Sequence, residues 1–406
     1  MTLTPTLTLS TPADILAAVP YLLGFHPADS LVVTGFAGSS LRLTTRWDLP
    51  PEPDDFDRLV SVLRREGVTM TILAGYGPGH LVTPVVDEAT RRLSEAGIGV
   101  AESLRADDGR YWSYACHSAD CCPAEGTSYD PVASPVAAEA VVHGLVALPD
   151  RHSLRRSVEP YGGAAMWQAT QRVAAELRAR LAMTETAPNS ANGAAPDGRG
   201  AVTGAVPGAV TAAAAGTRVG AVTGDFAAEF AAEFVAEGLA RVRAAIGLYA
   251  SGDRLGDEAV ARLGFDLSVI RIRDEAWALL DDGAAHMALW RDVTRRMEPA
   301  HVAPAASLLA AAAWRAGECA LAGMALERAL EADPAYSMAN LLRQALLHLL
   351  SPAVLRDRMP TPEQLDEEMG PPQAGWLAPL LTLLREQPHE QPHGRPYDEE
   401  PSALAS

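Results

Sequence analysis

The sequence predicts an α/β domain, in which helices cover a mixed sheet, followed by an all-helical domain of bundle or repeat-like type. Three observations predict this. Through residue 183, short β-branched runs alternate with segments of helical apolar spacing. From 184 to 224 the composition collapses to Ala, Gly, Val, Thr and Pro, including the imperfect repeats Gly200–Gly204, Gly208–Thr211 and Gly220–Gly224. Between 225 and 386 the apolar residues recur with a 3.6-residue period. The expected organisation is therefore an α/β domain over 1–183, a disordered Ala/Gly-rich linker over 184–224, a helical domain over 225–386 and a disordered tail over 387–406.

The first element is a short helix from Pro12, with Ser10 or Thr11 as cap and Gly24 suited to a left-handed end. Ser30–Phe36 and Leu41–Trp47, separated by Ala37-Gly38-Ser39-Ser40, predict a hairpin. Asp54–Gly67 carries Phe56, Leu59, Val60 and Leu63 at helical spacing, and Val68–Gly75 reads as a buried strand. Leu81–Gly97 is a second amphipathic helix. Ile98–Leu104 and Tyr111–Cys116 flank Asp107-Asp108-Gly109, a strong hairpin turn. The order α-β-β-α-β-α-β-β requires a mixed sheet with helices on it.

Helical spacing then marks Phe226–Tyr249, Asp257–Leu263, Asp266–Leu280, Ala284–Met297, Pro304–Ala316, Glu318–Ala332 and Pro334–Leu350. Within these, Trp314-Arg-Ala-Gly317, Ala322, Ala325, Leu326, Ala329, Leu330 and Asp333-Pro334 are similar to one tetratricopeptide-type repeat, in which small residues let two antiparallel helices approach. A single copy makes a helix hairpin, not a concave peptide groove.

Charge and composition exclude several classes of function. The formal net charge is -18, from 51 acidic against 33 basic residues, a field that repels phosphate backbones and anionic lipid. No nucleic-acid or membrane partner is expected. The local exception, Arg151, Arg155 and Arg156, fits the solvated face of a helix. Every basic side chain is Arg, so phosphate-loop, kinase-strand and Schiff-base lysines are all excluded. Neither a membrane-length apolar run nor a secretory signal is evident, which predicts a cytoplasmic protein.

Two loops concentrate reactive side chains. Leu23–Ser30 carries His26, Asp29 and Ser30, the residue types of a catalytic triad, yet no Gly-x-Ser-x-Gly elbow accompanies them and turn formation explains Asp29 and Ser30 equally well. Cys116–Gly126 carries Cys116, His117, Cys121 and Cys122. Three thiols and an imidazole in so short a stretch fit a structural bridge, a reversible disulfide or a soft-metal site. The Cys-x4-Cys-Cys spacing matches neither the common zinc motifs nor the thioredoxin motif. Cys319, amid Ala and Leu, is expected in a helical core, and no cofactor motif is present.

The segments Pro12-Ala-Asp, Pro20–Val33, Arg46-Trp-Asp-Leu-Pro50, Cys121–Gly126 and Ala312–Asn340 together resemble the bacterial family called domain of unknown function 4192. That resemblance implies no activity. It does imply that the Gly24–Ser30 and Cys121-Cys122 loops belong to the family's pattern and that the Ala/Gly segment is an insertion; because both loops flank strands of one sheet, they are expected to share one surface. The expected function is a non-enzymatic interaction or regulatory protein, its α/β domain taking a ligand or partner and its helical domain docking to another protein. The alternative is a thiol-redox or metal-dependent enzyme using Cys116, Cys121 and Cys122.

Overall fold

A computed structural model of the protein describes residues 9–186 and 225–385, apart from Pro53, His117, Ala119, Asp120, Gly144, Gly162 and Leu349. The expected linker, beyond the helical residues 184–186, and the expected tail lie outside the described residues, as does the candidate ligand His117.

The first helix, α1 (Pro12–Leu23), opens with a capping box: the Thr11 hydroxyl accepts from the Asp14 N–H, and the Asp14 carboxylate accepts from the Thr11 N–H. It closes on Gly24 at φ 80, a left-handed conformation that a side chain would strain. There follow β1 (Ser30–Ala37), β2 (Ser40–Asp48), α2 (Asp55–Arg65), β3 (Met70–Tyr76), α3 (Gly79–Glu95), β4 (Gly99–Asp107), β5 (Arg110–Ser113) and β6 (Thr127–Ser128). The strands form one mixed sheet in the order β2-β1-β3-β4-β5-β6. Only β3 and β4 run parallel, joined across α3; the other neighbours are antiparallel. This is the expected mixed sheet. The expected last strand, Tyr111–Cys116, is shorter and stops at Ser113, and β6 is too short to show in the sequence pattern.

Period-two alternation assigns the faces. Leu31, Val33 and Leu73 point to one side and pack with Leu59 and Leu63 of α2 and Val82, Val86 and Leu93 of α3. Val32, Ala74, Leu104 and Ala106 point to the other side, against Leu16 and Val19 of α1. Gly75 lets α3 come close, because a Cβ there would stand 2.2 Å from Val82 Cγ1. Next come α4 (Pro135–Val142), which packs on α1 through Val136, and α5 (Arg151–Arg156).

The remaining described elements are helices: α6 (Ala164–Thr186), α7 (Asp225–Ala250), α8 (Asp257–Asp266), α9 (Ile270–Ala278), α10 (Ala284–Arg296), α11 (Pro299–Arg315), α12 (Cys319–Ala332), α13 (Ser337–Leu347), α14 (Pro352–Arg358), α15 (Pro362–Met369), a 3-10 turn (Ala374–Leu377) and α16 (Ala378–Arg385). The chain divides into two compact units. One comprises Met1–Gly162, Ile246–Arg254 and Leu279–Met359, the other Gly163–Ala245, Leu255–Ala278 and Pro360–Ser406.

In the first unit, α11 and α12 form the antiparallel hairpin expected from the repeat-like segment, turned by Gly317 at φ 84. Ala305, Ala306, Leu309 and Ala313 of α11 and Leu321, Ala322, Ala325 and Ala329 of α12 are buried, their small side chains permitting close approach. Cys319 stands exposed at the first position of α12, not in the core. The apolar face of α12 begins two residues later, at Leu321. Arg155 of α5 is not simply solvated; it bonds Glu331 of α12 at 3.2 Å, while Arg151 lies 3.9 Å from Asp48.

The second unit holds its own buried charges. Asp266 is fully buried and takes two hydrogen bonds from Arg241, at 2.7 and 2.9 Å; burial pushes its pKa up against the pull of Arg241 and Arg262. Arg271 and Glu275, both buried on α9, pair at 2.8 Å, and Arg271 also reaches Asp366 of α15 at 2.6 Å. Such pairs help little against a hydrophobic replacement of both partners, but removing one partner leaves a charge buried.

Candidate functional site

The thiol loop is an excursion from the edge of the sheet, fixed at both ends. Asp108 at φ 45 and Gly109 at φ 71 turn β4 back into β5, as the Asp-Gly pair predicts. On β5, Trp112 faces Arg105 across the ladder, with the guanidinium carbon 3.6 Å from the ring centroid. The Ser113 hydroxyl donates to Glu102 Oε1 at 2.9 Å and accepts the Cys116 N–H at 3.2 Å, which anchors the outgoing chain. The Tyr114 hydroxyl meets Thr83 Oγ1 of α3 at 2.7 Å.

The returning chain is anchored by the same strand. The Cys122 N–H donates to the Ser118 carbonyl at 2.8 Å, and the Trp112 indole N–H donates to the Ala124 carbonyl at 3.0 Å. Arg110 Nη1 donates to the Gly126 carbonyl at 2.9 Å, after which β6 pairs with β5. Gly126 is doubly constrained. Its φ is 81, and a Cβ would stand 2.5 Å from the Trp112 ring. Only glycine fits that position.

Held this way, the three sulfurs converge. Cys116 Sγ and Cys121 Sγ are 2.9 Å apart, Cys121 Sγ and Cys122 Sγ 3.8 Å, and all three lie within 4.8 Å of one another. Cys121 is exposed, Cys116 and Cys122 are half-buried, and all are free thiols. The Cys116 pKa is lowered because the thiols of Cys121 and Cys122 and a backbone group at Ser118 hydrogen-bond its thiolate. Cys122 is pushed up to about 12, first by its hydrogen bond to Cys116 and then by burial. One sulfur is thus favoured as the anion, with its neighbours as donors. Among the described residues, the sulfurs' hydrogen-bond partners are one another and the Ser118 backbone.

The Gly24–Ser30 loop is arranged differently. The His26 N–H donates to the Leu148 carbonyl at 2.9 Å, and burial lowers the imidazole pKa, which keeps the ring neutral. Asp29 is exposed at φ 42, its carbonyl accepts from the Leu49 N–H, and its carboxylate stands beside Gly77. Ser30 is fully buried at the start of β1, and its hydroxyl has no hydrogen-bond partner among the described residues. The three residues share a loop without forming a relay: the serine faces the α1 side of the sheet, while the carboxylate faces the β3–α3 turn.

Register also separates the two loops. Ser30 pairs with Tyr76, which is level with Ala106 of β4. The thiol loop leaves β5 at Ser113, level with Leu104, running away from that end of the sheet, and β3 and β4 lie between β1 and β5. The expected common surface is therefore not formed by these loops. Sequence reasoning missed Trp112, Ser113, Glu102 and Gly126, the residues that shape the thiol loop. The alternation of β5 and the isolated glycine after Pro123-Ala-Glu125 were the available signals.

No curated protein and no solved structure matches the chain. The family model described as "Domain of unknown function (DUF4192)" matches residues 12–231 and 210–353, two stretches that overlap over 210–231. No helix among the described residues is long and apolar enough to cross a membrane. Spanning the sheet, the thiol loop and the α11–α13 helices, the match shows that the chain belongs to the DUF4192 family.

Proposed function

We propose that this protein is a non-enzymatic regulatory or interaction protein in which the Cys116–Cys122 loop is the responsive element and helix α13 docks another protein. One observation carries the reading: three sulfurs lie within 4.8 Å on an accessible loop, and among the described residues their hydrogen-bond partners are one another and the Ser118 backbone. A peroxide is the simplest oxidant for such a group. The Cys116 thiolate attacks a peroxide oxygen and becomes a sulfenic acid as hydroxide leaves; the Cys121 thiolate then displaces hydroxide from that sulfur, forming the disulfide. Docking through α13 is supported by its Leu341 and Leu347, which are 62% and 63% exposed. The net charge of -18 argues against nucleic acid as the partner.

The test is peptide mapping of the full chain after mild peroxide treatment, with hydrogen exchange of residues 110–128 before and after. A Cys116–Cys121 disulfide and altered exchange confined to this segment are expected. Thiols that stay reduced, or a disulfide that leaves exchange unchanged, would refute the loop's role. For docking, the proteins captured by the wild type and by a Leu341→Glu, Leu347→Glu double variant are compared. Identical sets would remove α13 from the proposal.

A further inference from the structure

We infer that Cys116, Cys121 and Cys122 form a three-thiolate site for a thiophilic divalent cation of the zinc class, an inference that rests on reading this loop as the responsive element. Zinc–sulfur bonds of about 2.3 Å in a tetrahedron place ligand sulfurs about 3.8 Å apart. Cys121 and Cys122 already stand at 3.8 Å, and Cys116 and Cys121 at 2.9 Å, with all three within 4.8 Å. Closing on one ion therefore requires the Cys116–Cys121 pair to open by about 1 Å, within reach of a rotation of the exposed Cys121 side chain.

Donor chemistry sets the class of ion. Among the described residues the cluster is made of three sulfurs, a donor set that selects a soft or borderline cation over calcium or magnesium, which take oxygen ligands. The three sulfurs fill three of the four positions of a tetrahedral site.

The surroundings supply the support that metal ligands need. The Ser113 hydroxyl, itself donating to Glu102, accepts the Cys116 N–H and so fixes the backbone of the first ligand. The Ser118 carbonyl accepts the Cys122 N–H, and Trp112 holds Ala124 two residues beyond the last ligand. Both ends of the ligand set are thus hung from β5, a rigid element, which limits how far the sulfurs can separate without metal.

The site also explains how one loop serves as a switch. Bound to the cation, the thiolates are held apart and withheld from peroxide; released, Cys116 and Cys121 are adjacent and able to join. Metal and oxidant then compete for the same sulfurs.

Cobalt(II) titration of the full chain, reduced and handled without oxygen, tests the inference. The expected result is a thiolate-to-cobalt charge-transfer band saturating at one cobalt per chain and displaced by zinc. Cys121→Ser and Cys122→Ser should each weaken binding by more than about a hundredfold, since even an outer partner of a ligand is worth about 10–100-fold. Cys319→Ser should leave it unchanged. A second readout needs no variant: zinc should protect Cys116, Cys121 and Cys122, but not Cys319, from alkylation mapped by mass spectrometry. Absence of both the band and the protection, with the three thiols titratable, overturns the metal site. If peroxide still joins Cys116 to Cys121 in that protein, the responsive-loop reading stands alone; if it does not, both fall.

Discussion

Gly126→Ala tests whether β5 shapes the thiol loop. The residue has φ 81, and an L-residue forced into left-handed backbone costs about 1–2 kcal/mol. The new methyl would stand 2.5 Å from Trp112 Cε2, more than about 1 Å inside an ordinary carbon contact. Trp112 is poorly placed to yield. Arg105 covers one face of its ring at 3.6 Å, and its indole N–H is engaged by the Ala124 carbonyl. The lower-cost escape is for residues 122–126 to lift off β5, giving up the Trp112–Ala124 and Arg110–Gly126 hydrogen bonds. Each is worth about 0.5–1.5 kcal/mol net, so the variant should lose about 1–3 kcal/mol. At about 2–4 °C per kcal/mol, Tm should fall by several degrees. Calorimetry and the alkylation rates of Cys116 and Cys122 read the result, with faster alkylation expected. Gly109→Ala is the control: its φ is 71, but nothing stands within 4 Å of the added Cβ, so Tm should fall while the thiol rates hold. Wild-type alkylation rates in Gly126→Ala, or identical behaviour of the two variants, would refute the argument.

Trp112→Phe keeps a ring over Arg105 but removes the donor to Ala124; a loss of about 0.5–1.5 kcal/mol and faster loop alkylation are expected, and unchanged alkylation would mean that this bond does not hold the loop. Leu73→Ala, at a fully buried position on β3, should cost about 2–5 kcal/mol in denaturant unfolding, with no change in the loop thiols of the folded protein. Asp292 on α10 supplies a pH dependence. Burial opposes its ionisation, yet hydrogen bonds from Tyr249 and Arg254 and the charges of Arg296 and Arg254 outweigh it, and its pKa is lowered. A carboxyl depressed on folding stabilises above its unfolded pKa of about 3.9, and that contribution is lost as pH falls through the folded value. Asp292→Asn should therefore cost about 1–3 kcal/mol at neutral pH and flatten the acid limb of the stability curve; an acid limb as steep as wild type would count against the assignment.

Elements were legible in the sequence where their cause is local. Leu31, Val32 and Val33, then Leu73 and Ala74, form strands because β-branched and apolar residues suit a pleat buried on both faces, and Asp108-Gly109 turns because glycine and aspartate accept positive φ. The Gly317 turn between α11 and α12 was legible for the same reason. Exposed Cys319 was misread because apolar neighbours do not reveal which side of a helix start faces the core. His26, Asp29 and Ser30 were legible as a loop but not as a relay, since adjacency along the chain says nothing of burial, and folding withdrew Ser30 into the sheet.

By itself, the sequence determined that the protein has no lysine chemistry, carries a formal net charge of -18, combines a mixed sheet with helices, and places three cysteines within seven residues. Tertiary structure decided that the strand order is β2-β1-β3-β4-β5-β6, that Arg155 meets Glu331 from 176 residues away, and that the three sulfurs converge. The physical reason is range. Backbone propensity and turn chemistry act over a few residues and are written locally. The thiol loop returns to β5 where Trp112, covered by Arg105, bonds the Ala124 carbonyl and Gly126 leaves room for that ring. Both are contacts across the sheet that no spacing along the chain records.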